Sequence, residues 1–394
     1  MKISTKQFTL FFTISLCLLL SGCSSNQATP HVVDVDTSDL LYDEAFPEHS
    51  TFTIETEKQI YALDDEMYDF VHSHLMQKDD PFIRAKLLLT KLFYRSPEKL
   101  QYLSGANLTA QQAFHQNTAN CLSLTILAYA LARESNLDIK FQEVIIPEYW
   151  IREGSYNMLT GHVNLKVVGD AKTQYKIVWG RNETTIDFDP YAVKKHFPKN
   201  IISKNRVTAM YYNNKGAQAL VDDELSLAYA YFKASIIQEH DFSPVWGNLG
   251  LLYKKVGLTD YAEQAYLASV KFNNKNYNAW NNLAILVTEQ EKYEEATKIY
   301  SYIHKARMKN PYYHALLGEE AFYNGDYKLS INHYKKAKTM SDREHEFYFG
   351  LARSYYKLGD YKQSEYYLLK AKRYANFKDL EDKYQSKLNL LSKL

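Results

Sequence analysis

The sequence predicts a multidomain protein in which a mixed α+β segment precedes an all-α superhelix of repeats. Three observations lead to this fold class: an apolar leader at the N-terminus, a change from helical to strand-like periodicity near residue 140, and a repeat of 34 residues in the C-terminal half. Helices followed by strands of alternating polarity indicate an α+β domain. A repeat of this length indicates stacked helical hairpins.

The composition is ordinary for a globular protein. The 394 residues include 47 Lys and Arg against 46 Asp and Glu, and 46% of them are hydrophobic. No long basic run stands out, so the basic surface of a nucleic-acid-binding protein is not expected. A chain of this length has room for two domains, or for one domain and a repeat array.

The first 22 residues are predicted to be an export signal. Lys2 and Lys6 precede an uncharged apolar run of 13 residues, which is shorter than the ~20 residues that a spanning helix needs. The run ends in Leu-Ser-Gly-Cys, with the cysteine at position 23. This ending resembles the lipobox of bacterial lipoproteins. The alternative is a plain secreted protein in which Cys23 follows the signal by chance.

The lipobox resemblance implies cleavage before Cys23 and acylation of its thiol and of the new amino group, for example with palmitate. Ser24 stands where an Asp would imply retention in the inner membrane, so the resemblance implies the periplasmic face of the outer membrane. The polar residues 23–38 then form a flexible tether. Removal of Cys17 with the signal and acylation of Cys23 leave Cys121 as the only free thiol, which excludes an intramolecular disulfide.

The 34-residue repeat is visible in several aligned columns. Trp246 and Trp280 stand 34 apart, and the other columns keep the same spacing. The columns are leucine at Leu249, Leu283, Leu317 and Leu351; small at Gly216, Gly250, Ala284, Gly318 and Ala352; and bulky at Phe232, Tyr266, Tyr300, Tyr334 and Leu368. Small residues let two helices approach while bulky residues fill the space between them.

These columns resemble the tetratricopeptide repeat, in about five copies over 208–378 and followed by a capping helix at 379–394. The resemblance implies a superhelix whose surface binds a protein or peptide partner.

Residues 39–207 differ in character from the repeats. A helical lead-in is predicted at 57–104 and a third helix at 120–133, where Asn117, Thr118 or Asn120 would cap its start. Strands are then predicted at 141–146, 163–167, 175–179 and 184–188, from β-prone residues and from alternation of apolar and polar side chains.

Three polar residues follow one another in the sequence at the ends of these predicted elements. Cys121 opens the third helix, His162 opens a strand, and Asp187 lies at the end of another. This order is similar to the transglutaminase-like branch of the papain-type cysteine enzymes, with the resembling core at about 110–200. The resemblance implies an acyl-transfer site in which Cys121 is the nucleophile, His162 the base and acid, and Asp187 the acid that orients the imidazole.

The pattern is consistent with thiol chemistry. A thiolate is the attacking species, and a helix N-terminus and an imidazolium both stabilise it. Asp189 is the alternative orienting acid, because residues two apart share one face of a strand. His115 and Gln116 are the candidates for an oxyanion-stabilising side chain. No metal-binding or nucleotide-binding motif occurs, so no cofactor is expected.

Two functions remain open from the sequence. The first is an envelope cysteine enzyme that acts on an amide of a protein or peptide, by hydrolysis or by transfer to an amine. The second is a lipid-anchored scaffold that assembles an envelope complex through its repeats around a catalytically silent core.

Overall fold

The computed structural model describes residues 30, 35–93, 101–103, 105–116, 118–153, 156–170, 184–188, 197–375 and 378–392. The predicted signal at 1–22, Cys23, the predicted strand at 175–179 and Asp189 lie outside these residues. Within the described part of the chain, no helix is both long and apolar enough to cross a membrane.

The middle of the chain is an α+β region. Two short 3-10 helices, Asp43–Ala45 and Pro47–Thr51, come first. The helices are α1 (Glu57–Ile60), α2 (Asp65–Phe70, continued as a π-helical turn at Val71–Leu75), α3 (Pro81–Phe93), α4 (Ala110–Gln116) and α5 (Cys121–Glu134). The strands are β1 (Gln101–Tyr102), β2 (Thr118–Ala119), β3 (Leu137–Glu153), β4 (Tyr156–Asp170), β5 (Thr184–Ile186) and β6 (Lys199–Ile202).

Four of these strands form an antiparallel sheet in the order β5-β4-β3-β6. The buried residues of α5 and of the helical lead-in pack with those of the sheet in one apolar core. The start of β1 departs from the sequence prediction, because residues 101–102 were expected to be helical. They pair instead with Thr118–Ala119 in a parallel bridge, and such a non-local pair leaves no trace in helical periodicity. Strand β6 was not predicted either.

Eleven helices make up the C-terminal half in the residues described from 204 onward. They are α6 (Lys204–Val221), α7 (Leu225–Gln238), α8 (Ser243–Lys255), α9 (Thr259–Phe272), α10 (Tyr277–Glu289), α11 (Tyr293–Arg307), α12 (Pro311–Tyr323), α13 (Tyr327–Met340), α14 (His345–Lys357), α15 (Tyr361–Tyr374) and α16 (Lys378–Leu391). Helices α6 to α15 pair into five successive hairpins, and α16 packs Tyr384 and Leu388 against the last of them.

The columns of the repeat correspond to contacts between the two helices of a hairpin. A Cβ atom placed on Gly250 would lie 2.6 Å from the ring of Tyr266, so only glycine leaves room for that ring. Gly216 stands in the same relation to Phe232. In the third hairpin the small residue is Ala284, and the bulky position, Tyr300, is exposed. Tyr300 departs from the predicted column because the Cβ atom of Ala284 occupies the space that a glycine leaves for a ring.

A hydrogen bond also recurs with the period of the repeat. From the second hairpin onward, the side chain at the tryptophan position donates to the carbonyl oxygen six residues before it. The bonds are Trp246 Nε1 to His240 O at 2.8 Å, Trp280 Nε1 to Asn274 O at 2.9 Å, His314 Nε2 to Met308 O at 3.1 Å, and Tyr348 OH to Asp342 O at 2.6 Å. In these four hairpins the bond fixes the loop before the first helix.

The fourth hairpin buries the fewest apolar side chains of the five. Helix α12 has His314 at the tryptophan position, and Leu317 is only half-buried whereas the other leucines of its column are buried. The apolar core that runs through the first three hairpins ends at Ile303, and a separate core begins at Ile331. The array therefore has a weak apolar junction between its third and fourth hairpins.

The N-terminal strap, defined as residues 35–51, lies across the second helices of the first two hairpins. Val35, which falls within the predicted tether, is buried in the core of the array. Phe46 stacks on Tyr229 with ring centroids 4.5 Å apart, and Asp43 pairs with Lys233 at 2.6 Å. The chain is thus already attached to the repeats at residue 35.

Replacement of two glycines in helix α8 tests the register of the array. Gly250→Ala brings a Cβ into the ring of Tyr266, whereas Gly247→Ala brings one to within 3.4 Å of Ser269 Oγ, an ordinary contact. Both changes gain the same helix propensity. We expect the free energy of unfolding of Gly250→Ala to be about 1–3 kcal/mol below that of Gly247→Ala, the usual cost of overpacking. Equal stabilities in denaturant titration would contradict the register.

Candidate active site

Helix α5 begins at the candidate nucleophile. The Asn120 side chain accepts a hydrogen bond from Ser123 N at 2.8 Å, so Asn120 is the N-cap and Cys121 is the first residue of the helix. The N-cap also donates to Asn107 Oδ1 at 2.8 Å. The cap fixes where the helix starts, and hence where the thiol lies.

Two hydroxyl side chains attach this helix end to its surroundings. Ser123 Oγ donates to Ala106 O and accepts from Leu108 N, both at 2.8 Å. Thr125 Oγ1 is shared between Cys121 O at 2.8 Å and Val163 O at 3.1 Å. Because Val163 follows His162 in β4, the Thr125 hydroxyl ties the start of α5 to the strand that carries the imidazole.

His162, Asn164 and Asp187 form one buried cluster. His162 Nε2 lies 2.8 Å from Asp187 Oδ1, and Asn164 Nδ2 donates to Asp187 Oδ2 at 2.7 Å. His162 and Asn164 are two residues apart in β4 and therefore share one face of the strand. The side chains of His162 and Asp187 are only 4% and 2% exposed, so the carboxylate has almost no access to water.

The charge of the imidazole depends on these neighbours. Burial lowers the pKa of His162, but the hydrogen bonds with Asp187 and with Cys121 raise it, and the net result is a pKa of about 10. The imidazole is therefore positively charged at neutral pH. Since Nε2 faces Asp187, the other ring nitrogen is the one available to the thiol.

The thiol of Cys121 is accessible as well as paired. Its Sγ lies 3.8 Å from Gly161 O, and the residue is half-buried. Gly161 is exposed, and a Cβ placed on it would meet no atom within 4 Å. The backbone beside the sulfur is therefore exposed at Gly161.

The structure brings some of the predicted site residues together and does not describe others. Cys121, His162 and Asp187 lie together, while Asp189 and Cys23 are outside the described residues. His115 Nε2 lies 2.7 Å from Asp64 Oδ2, so this candidate for the oxyanion is engaged with a carboxylate elsewhere. Gln116 is exposed and makes no hydrogen bond to the thiol.

Sequence reasoning missed the supporting residues Asn164 and Thr125. Asn164 had one signal, its position two residues after His162 on the same face of a strand. Thr125 had no such signal, and its hydroxyl reaches Val163 O in the neighbouring strand β4. Among the described residues, no three His, Cys, Asp or Glu side chains are grouped so that they could hold a metal ion.

Comparison with known families defines the class of the C-terminal half. Two family models described as tetratricopeptide repeat match residues 243–276 and 316–377. The second hairpin and most of the last two are covered by these matches. The chain therefore contains tetratricopeptide repeats, which in general mediate contacts between proteins.

Among individual proteins, the chain is similar to the TPR repeat-containing protein MJ1428 of Methanocaldococcus jannaschii. The two are 30% identical over 135 residues, which is 34% of this chain and 24% of the relative. The chain thus spans about a quarter of the length of that relative.

Solved structures match with low overall similarity. A crystal structure of MamA protein is 16% identical with a TM-score of 0.26, covering 42% of this chain and 91% of that one. The APC/C hetero-tetramer Cut9-Hcn1 is 19% identical with a TM-score of 0.29, covering 47% of this chain and 36% of that one.

The pKa of His162 can be measured directly by NMR. We expect its ring to titrate near pH 10 in the intact chain. Asp187→Asn should lower this pKa, because a neutral amide no longer stabilises the imidazolium while burial still opposes it. Because the pKa is raised on folding, the stabilisation is complete below about pH 6.5 and is lost as the pH rises through about 10. Stability that is independent of pH between 6.5 and 10 would contradict the charged pair.

Proposed function

We propose that the protein is a membrane-anchored envelope enzyme that transfers the acyl group of an amide through Cys121, with the repeats holding the protein or peptide that carries the amide. The observation that carries this proposal is the position of one buried imidazole between a carboxylate and a thiol at a helix N-terminus. A transglutaminase-like core, as the sequence resemblance implies, is part of the same proposal.

All three residues act in both steps of the proposed reaction, the formation of a thioester on Cys121 and its breakdown. The Cys121 thiolate attacks the amide carbon, and as the C–N bond breaks the His162 imidazolium gives its proton to the leaving amine. The product is a thioester on Cys121. Water or an amine then attacks the thioester and gives a proton to His162, and the C–S bond breaks to restore the thiolate. Asp187 orients the imidazole throughout.

The buried environment supports the proton transfers. A carboxylate that accepts one hydrogen bond from His162 and another from Asn164 is held in one orientation. Helix α5 directs its unpaired N–H groups toward the sulfur end, where negative charge is favoured. These contacts would keep the thiolate and the imidazolium in place before any ligand binds.

The second candidate is a non-catalytic scaffold. Both family models fall on the repeats, the relative is named as a repeat-containing protein, and none of the three assigns an activity to the α+β region. Protein binding through the repeats is common to both candidates, so the reactivity of Cys121 decides between them.

Alkylation of Cys121 tests the enzyme proposal. In the chain without its signal and with Cys23→Ser, Cys121 is the only thiol, and its rate of labelling by iodoacetamide is measured from pH 5 to 9. We expect fast labelling at pH 6, because the imidazolium stabilises the thiolate there. His162→Ala should slow the labelling at pH 6 far more than at pH 9, and Asp187→Asn should do so to a smaller degree.

Asp189→Asn is the matched control, since it removes a carboxylate two residues away. It should leave the labelling profile unchanged if Asp187 orients the imidazole. Labelling that rises only above pH 8 and ignores His162→Ala would overturn the enzyme proposal and leave the scaffold.

The membrane anchor is proposed from the Leu-Ser-Gly-Cys ending of the apolar leader. Cys23→Ser should yield a longer, unprocessed protein that takes up no labelled palmitate, because the acylated thiol is missing. Cys121→Ser is the control, and it should be processed and labelled like the natural chain. Equal palmitate uptake by the Cys23 variant would contradict the anchor.

A further inference from the structure

One contact between the hairpin of strands β3 and β4 and the repeat array is polar and lies at Glu148. Glu148 of β3 accepts two hydrogen bonds from Arg307, from Nε at 2.7 Å and from an Nη atom at 2.9 Å. Arg307, the last residue of α11, also donates to Asn278 Oδ1 at 2.6 Å, and Asn310 Nδ2 donates to Glu148 O at 2.9 Å. The Arg307 side chain is only 7% exposed, so this ion pair is shielded from solvent.

The position of Glu148 in the hairpin places it beside the candidate site. Val144 pairs with His162 and Tyr149 pairs with Thr160, so residues 145–148 all lie opposite the single residue Gly161. Gly161 O is the oxygen 3.8 Å from the Cys121 sulfur. Glu148, which binds Arg307, therefore lies on the strand next to Gly161, whose backbone borders the thiol.

The contact coincides with the weak junction of the array. Arg307 ends the third hairpin and Asn310 caps the fourth, between the two apolar cores. A polar cluster on Glu148 thus joins two hairpins that share little apolar surface. The same cluster joins both of them to the strand pair that carries His162.

We propose that Arg307 is a positioning residue for the Cys121–His162 pair, acting through Glu148 and the Gly161 backbone. The proposal rests on the proposed function, and it makes the array part of the site rather than a separate binding module. A protein partner that shifts the junction between the third and fourth hairpins would then alter the reactivity of Cys121.

The test is a set of variants in helix α11. Arg307→Met keeps the apolar stem of the side chain and removes its charge and donors, while Arg307→Lys keeps the charge without the two-pronged contact. Lys298→Met is the matched control, because Lys298 pairs with Glu294 on the exposed face of the same helix. Three quantities are measured: the alkylation rate of Cys121 at pH 6, the pKa of His162, and amide hydrogen exchange at Gly161 to Val163.

We expect Arg307→Met to slow alkylation at pH 6 by roughly tenfold or more, since misplacing reacting groups by about an ångström can slow a reaction ~100-fold. It should also shift the pKa of His162 downward and speed exchange at Gly161. Arg307→Lys should give an intermediate result, and Lys298→Met should match the natural chain in all three.

Glu148→Gln removes the charge of the other partner in the same ion pair. It replaces Arg307→Met in the test if that variant fails to fold. The double variant should be no slower than either single variant, because both remove one interaction. An unchanged His162 pKa and unchanged exchange at Gly161 in both single variants would overturn the positioning role.

Failure of the proposed function has a different signature. In that case the natural chain labels slowly at pH 6 and His162→Ala changes nothing. The His162 titration and the exchange at Gly161 still decide whether Arg307 positions this strand.

Discussion

Four residues of strand β3 lie opposite a single residue of strand β4, and both the site and the array depend on this register break. An antiparallel ladder normally pairs residues one to one, so an excess of three residues on one strand must leave the ladder. The excess carries Glu148 toward the repeats, where Arg307 binds it. On the other strand, Gly161 keeps its carbonyl beside the Cys121 sulfur. A regular hairpin would not provide the contact with Arg307, because Glu148 would be held within the ladder.

The buried charges of the site require complete hydrogen bonding, which fixes the orientation of their side chains. A carboxylate and an imidazole in a region of low dielectric are costly unless their hydrogen bonds are complete, and removal of one partner leaves the other uncompensated. Asp187 uses one oxygen for His162 and the other for Asn164, so its orientation is determined on both sides. The raised pKa of His162 follows from that arrangement. Cys121 is half-buried whereas His162, Asn164 and Asp187 are buried, and Cys121 is the residue that a substrate must reach in the proposed reaction.

The sequence predicted those parts of the structure that repeat or alternate. The 34-residue columns could be found because each one is a contact, such as that of Gly250 with the ring of Tyr266. The start of α5 was narrowed to three capping residues, of which Asn120 is the N-cap. The strap, strand β6 and the Arg307–Glu148 pair could not be found, because each joins residues far apart in the chain without any period. The aligned columns did not predict that Tyr300 is exposed. Ala284 has a Cβ where the second hairpin has Gly250, and that Cβ excludes an aromatic ring.

The enzyme and scaffold functions make different demands on the junction at Arg307. A scaffold needs an array that is continuous, and apolar contact between successive hairpins would provide this most directly. Here the apolar core stops at Ile303, and a buried ion pair to another domain takes its place. Such a pair is weak as a source of stability, since burial of two charges costs about as much as their attraction returns. It does, however, specify geometry, because an arginine fork accepts a carboxylate in few orientations. The junction therefore holds the β3–β4 hairpin, and with it His162, in a defined position relative to the third and fourth hairpins.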